Sequence, residues 1–225
     1  MTILLNNINS FLQNDVLTLL LTIIWFFSFS LILSDLLNKK QGEMYLLSFV
    51  ISAILLFAGG IFKNLYFFYY IGWFLIFIYY CYLLIIKNRK STIKNIDFAS
   101  TIIFILIFIV LYVLYQNKGL VATDEFTTWA PMVREMVQHN KFYCVPDSSL
   151  LAHKDYPPFF ALIELMFCLF KGEYKECYLY IGLLSFYFSI AIAVSSHKNK
   201  IIDKIIVIAL FALLGFSAQE LTGPI

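Results

Sequence analysis

Charge is what this chain of 225 residues has least of: only 13% of it is Asp, Glu, Lys or Arg. A soluble domain usually carries about a quarter. With 61% of residues hydrophobic, that scarcity excludes an ordinary soluble domain and points to a polytopic membrane protein. The formal net charge is +2, and no basic patch with base-reading motifs occurs, so no nucleic acid is expected as a partner. The first fifteen residues lack a basic region and a small-residue cleavage site, and so do not read as a cleaved signal peptide. There is no Walker loop, no HExxH, no GxSxG and no CxxC. The four cysteines have no metal-ligand spacing. A Cys144–Cys177 disulfide is open if that part of the chain faces an oxidising space. Neither an inverted repeat nor spans broken by Gly or Pro favour a transporter, and no span shows an array of acids and bases for proton coupling.

What the chain does have is long apolar runs. Six of them, at 16–37, 44–62, 65–86, 98–115, 178–196 and 201–218, each approach the ~20 residues that cross a bilayer. The expected fold class is therefore all-α, a polytopic membrane helix bundle of about six transmembrane helices.

One stretch departs from this. Between Gln116 and Cys177 lie eight of the fourteen acids, including the adjacent pair Asp124-Glu125. The run 157–170 inside it is apolar but short, and Glu164 sits in its middle. If that run spanned, the two sides of the membrane would share the sixteen Lys and Arg residues equally. If it does not span, loops 38–43, 87–97 and 197–204 fall on one side with nine of them. Cytoplasmic loops are the Lys- and Arg-rich ones. The non-spanning arrangement is expected, with 116–177 on the outer side. Phe126, Trp129, Val133, Met136 and Val137 make a helical stripe. That predicts two outer juxtamembrane helices, at 128–139 and 157–170.

Asp124 follows a span and precedes the first of these helices. A carboxylate there can take a proton from an incoming hydroxyl or hold a divalent metal. Glu125 is explained as well by the positive end of the following helix. His153, Lys154, Asp155 and Tyr156 read from spacing as a polar turn closed by Pro157-Pro158, or as donors reaching toward a phosphate. Arg134 and His139 lie off the apolar stripe, on a solvated face.

Taken together, the Asp124-Glu125 pair, a helix with Arg134-Glu135-Met136, and Asp155-Tyr156-Pro157-Pro158 leading into a short apolar helix resemble a known pattern. It is the first outer loop of membrane glycosyltransferases of the GT-C class. That class uses polyprenyl-phosphate-linked sugars and includes protein O-mannosyltransferases and the lipid A aminoarabinose transferase. The resemblance covers 98–225. It implies Asp124 as catalytic carboxylate with Glu125 beside it, and Arg134, His153, Lys154, Asp155 and Tyr156 as substrate-binding residues. It also implies a polyprenyl-phosphate sugar donor and a lipid, glycan or protein acceptor. A divalent metal is compatible with Asp124, and the cofactor is otherwise unspecified. A bacterial inner membrane is the expected location. Residues 1–97 read as three additional spans, and 98–225 as the start of a glycosyltransferase module. The family's second acid would follow the last span, where Glu220 is the only carboxylate, so an N-terminal fragment is expected. The alternative is a non-catalytic membrane protein: a transporter or flippase component, or a partner in glycan assembly.

Overall fold

The computed structural model describes residues 2–85, 95–120, 128–144, 150, 154–198 and 200–221, with side chains from 6 to 214 within them. Among the described residues the chain is helical, without strands. The order is α1 (Thr2–Asn14), α2 (Val16–Leu37), α3 (Gln41–Ile61), α4 (Leu65–Ile85), α5 (Phe98–Tyr115), α6 (Ala130–His139), α7 (Phe159–Lys171), α8 (Cys177–Ser195) and α9 (Ile201–Leu221). Five of them, α2, α3, α4, α5 and α8, are long and apolar enough to cross a membrane, which makes the protein multi-pass. Helix α9, 21 residues long, occupies the position of the sixth expected span.

Helix boundaries follow local chemistry. The Asp97 carboxylate accepts from the backbone N–H of Ser100 and starts α5. Pro131 falls in the first turn of α6, where no intrahelical donor is needed. Asn38, Asn140 and Gly172 take the left-handed conformation that closes α2, α6 and α7.

Side-chain contacts show how the long helices alternate. Asp15, at the start of α2, meets Gln116 just after α5 and Tyr178 at the start of α8. At the opposite end, Asp97 before α5 meets Lys204 in the first turn of α9. These are called below the Asp15 end and the Lys204 end. The interval 116–177 leaves and re-enters the bundle at the Asp15 end. Both of its borders touch the same carboxylate, so 157–170 does not carry the chain across.

In an apolar surrounding, helices gain from close packing and from shared hydrogen bonds. Trp25 Nε1 donates to Ser52 Oγ at 2.8 Å, joining α2 to α3, and Thr22 and Tyr112 share a hydrogen bond at 2.9 Å, joining α2 to α5. Gln41, Ser30, Thr101 and Tyr45 continue this seam toward the Lys204 end. Gly72 lets α4 approach: a Cβ there would fall 2.0 Å from Trp25 Cη2.

Helix α1 is a feature the polar N-terminal sequence did not suggest. Its Phe11 ring packs edge-on against Tyr112 of α5, and Asn117 donates to Asn7 at 2.7 Å.

Helix α7 is as short as the sequence indicates, with 13 residues. Its surroundings differ from those of a helix lying on a surface. All ten residues from Ala161 to Phe170 are buried. Phe167 lies within ring contact of Phe26, Phe49 and Phe108, which are mid-helix residues of α2, α3 and α5. A helix buried on every side belongs in a core, and α7 is the centre of this one, with Glu164 buried along with its apolar residues.

Candidate functional site at the Asp15 end

Helices α6 and α7 are held against the Asp15 end by specific contacts. Val133 and Met136 of α6 are buried, as the stripe requires, and so is Met132. Trp129 and Val137 pack half-buried against the same core. Phe126 lies outside the described residues. Glu135, which falls off the stripe, is 4% exposed, with His139 Nε2 3.9 Å away. Past the end of α6, the Asn140 carbonyl and side chain accept from the N–H groups of Leu65 and Tyr66, and Tyr66 donates to the Val137 carbonyl. Phe142 then enters a space that exists because residue 60 is Gly, where a Cβ would sit 2.2 Å from the ring. The start of α4 and the end of α3 thus fix the end of α6.

The polar turn before α7 is tied to the beginning of α6. Tyr143 donates to the Tyr156 carbonyl at 2.6 Å, and the Tyr156 ring lies 5.9 Å from Trp129. Burial, followed by the Cys144 and Asp155 charges, pushes the Tyr143 phenol up to about 12. It therefore stays protonated as a donor near neutrality. Trp129 is four positions beyond Glu125 in the chain.

Of the sequence candidates, Asp124, Glu125 and His153 lie outside the described residues. Asp155 and Tyr156 are exposed and Lys154 half-buried, all on the turn that Trp129 contacts. Arg134 is exposed on another side of α6, its guanidinium carbon 5.1 Å from the Tyr174 ring centroid. It is grouped with the α7–α8 connection and not with the turn at Tyr156. The four cysteines are free thiols, which leaves the Cys144–Cys177 bridge unmade. Cys144 is exposed and Cys177 buried. Among the described residues, no three His, Cys, Asp or Glu side chains converge as a metal site.

The most concentrated polar cluster at this end surrounds Asp15, which sequence analysis did not single out. Its side chain is fully buried. It accepts from Lys175 at 2.9 Å, from Tyr178 and from Gln116, and pairs with Lys171 at 3.1 Å. A buried carboxylate needs such partners, since an unpaired charge in a low-dielectric setting is costly. Burial raises the Asp15 carboxyl, but hydrogen bonds from Tyr178, Lys175, Gln116 and Lys171 outweigh it and hold it below its ordinary value. Lys171 also donates to the Asn14 carbonyl at 2.7 Å. One carboxylate therefore joins α1, α2, the end of α5 and the α7–α8 connection. A signal for it was present: an acid immediately before the first apolar run, and Lys171 and Lys175 four apart.

Comparison with family models, curated proteins and solved structures returned no match.

Proposed function

We propose that this chain is a membrane glycosyltransferase of the polyprenyl-phosphate-dependent kind, or the N-terminal part of one, working at the Asp15 end. The observation that supports the reading is the contact of Trp129 with Tyr156. It sets the start of α6, the helix that follows Asp124-Glu125 in the chain, against the Asp155-Tyr156-Pro157-Pro158 turn. The Asp15 end is then the outer side and the Lys-rich loops are cytoplasmic, in a bacterial inner membrane.

In this mechanism an acceptor hydroxyl oxygen attacks the anomeric carbon of the donor from the face opposite the phosphate. The new C–O bond forms as the bond to phosphate breaks. Polyprenyl phosphate leaves with the electron pair, and Asp124 takes the hydroxyl proton; were a divalent metal bound, Asp124 would be the residue to hold it and the ion would supply positive charge there. Glu125 sits beside Asp124. His153, Lys154, Asp155 and Tyr156 line the donor or acceptor cavity, with the cations reaching the phosphate oxygens, and Arg134 contacts a part of the substrate nearer the α7–α8 connection.

The test is sugar transfer from a polyprenyl-phosphate-linked donor in membranes, normalised to the abundance of each variant. Asp124→Asn keeps size but cannot take up a proton, so transfer should drop by about 10²–10⁴. Glu125→Gln should retain most activity. A well-expressed Asp124→Asn variant that transfers sugar at the wild-type rate would remove the catalytic assignment. It would favour a non-catalytic role in glycan assembly or lipid-carrier transport.

A further inference from the structure

The Lys204 end holds a cavity of about 240 Å³ whose polar lining is Lys40, Asn95, Asp97, Lys198 and Lys204. A water occupies about 30 Å³, so there is room for a phosphate group and several waters. Lys204 is 4% exposed and is neutralised by Asp97, while also donating to Ser100 Oγ at 2.9 Å. Burial raises the Asp97 carboxyl, but hydrogen bonds from Lys204 and Ser100 outweigh it and keep the carboxyl below its ordinary value. The pair is therefore a fixed, charge-balanced wall. Lys40 and Lys198 are different: both are exposed, and neither side chain has an ion-pair partner among the described residues. Among the described residues, the lining of the cavity thus carries a net charge of +2.

The backbone adds to this. Three helices begin at the cavity: α3, whose N-cap is Lys40; α5, whose N-cap is Asp97; and α9, which has Lys204 in its first turn. The starts of α3 and α9 present N–H groups without intrahelical partners and the positive end of a helix dipole, whereas that of α5 is capped by Asp97. The Lys40 side chain makes no capping bond. Glu43 and Asp203, the acids in the first turns of α3 and α9, do not line the cavity.

We propose that this cavity is an anion site for a phosphate group, with Lys40 and Lys198 as its mobile ligands and the Lys204–Asp97 pair as its fixed wall. The net charge of +2 that the described lining residues carry matches a phosphate monoester, which carries about −1.5 to −2 near neutrality. The phosphate belongs either to a lipid headgroup or to a soluble phosphate. The site stands at the opposite end of the bundle from the glycosyltransferase reading and does not depend on it.

Thermal unfolding of the purified full chain tests the proposal with two probes. In detergent, inorganic phosphate is compared with sodium chloride at equal ionic strength. In nanodiscs, phosphatidic acid is compared with phosphatidylcholine alone. Wild-type protein should be stabilised saturably by phosphate, by phosphatidic acid or by both. Phosphate alone identifies a soluble ligand, and phosphatidic acid alone identifies a headgroup. The Lys40→Gln/Lys198→Gln variant, which alters only exposed side chains, should need about tenfold more of the effective probe, as expected on losing hydrogen bonds to a charged group. Lys118→Gln, at the Asp15 end, should respond as wild type. The proposal is overturned if neither probe exceeds its control, or if the double variant responds as wild type does.

Discussion

Asp15 shows how one residue can govern a membrane bundle without contributing to a motif. Its four partners come from α8, the residue after α5, the last residue of α7 and the α7–α8 connection. Replacing it with Asn leaves Lys171 and Lys175 facing a group that cannot balance them. Breaking a buried pair in this way costs about 3–5 kcal/mol, and the partial exposure of both lysines sets the lower end. The pH dependence has a definite sign. The folded carboxyl lies below its ordinary value of 3.8, so its stabilisation is complete above that value. It is lost as pH falls through the lower, folded value. Wild-type protein in detergent should therefore melt at progressively lower temperature as pH is taken below about 4. Asp15→Asn should melt lower at neutral pH and lose that part of the acid sensitivity. Identical acid profiles for the two proteins would show that Asp15 is not the buried, paired group described.

At the scale of elements, the long spans were legible because ~20 consecutive apolar residues have few other uses. Helix α6 was legible because its stripe has the helical period, and Val133 and Met136 are buried as that period requires. Glu135 departs from it because α6 packs over α7 on a face wider than the stripe. Helix α7 was legible as a short helix but not as the centre of the core. Fourteen apolar residues look the same in sequence whether lipid or protein surrounds them, and only the ring contacts of Phe167 distinguish the cases. Helix α1 was missed because its apolar positions, Ile8 and Phe11 among them, are too few to stand out from a polar N-terminus. Of the candidate residues, Lys154, Asp155 and Tyr156 share one turn, whereas Arg134 stands apart on α6 against Tyr174. The Asp15 cluster was not legible, since it joins positions 101, 160 and 163 apart in the chain. A direct check on α6 compares Val133→Lys with Gln138→Lys. Val133 is fully buried and Gln138 exposed, so the first should cost several kcal/mol and reduce membrane abundance, while the second changes little. Equal abundance would place the helix on a different face.

For the whole molecule, the claim from which the others follow is that interval 116–177 folds back on one end of the bundle, opposite the Lys204 cavity. Exposed Cys144 marks the first side, and exposed Lys198 marks the second. Cys168, buried in α7 with its thiol pushed up to about 12 by burial, should not react with maleimide on either side. The most direct measurement is labelling of intact cells with a membrane-impermeant maleimide. Cys144 should react without permeabilisation. Lys198→Cys, in a Cys144→Ser background, should react only after it. Labelling of both positions from the same side of the intact membrane would contradict the account, because 157–170 would then have to cross.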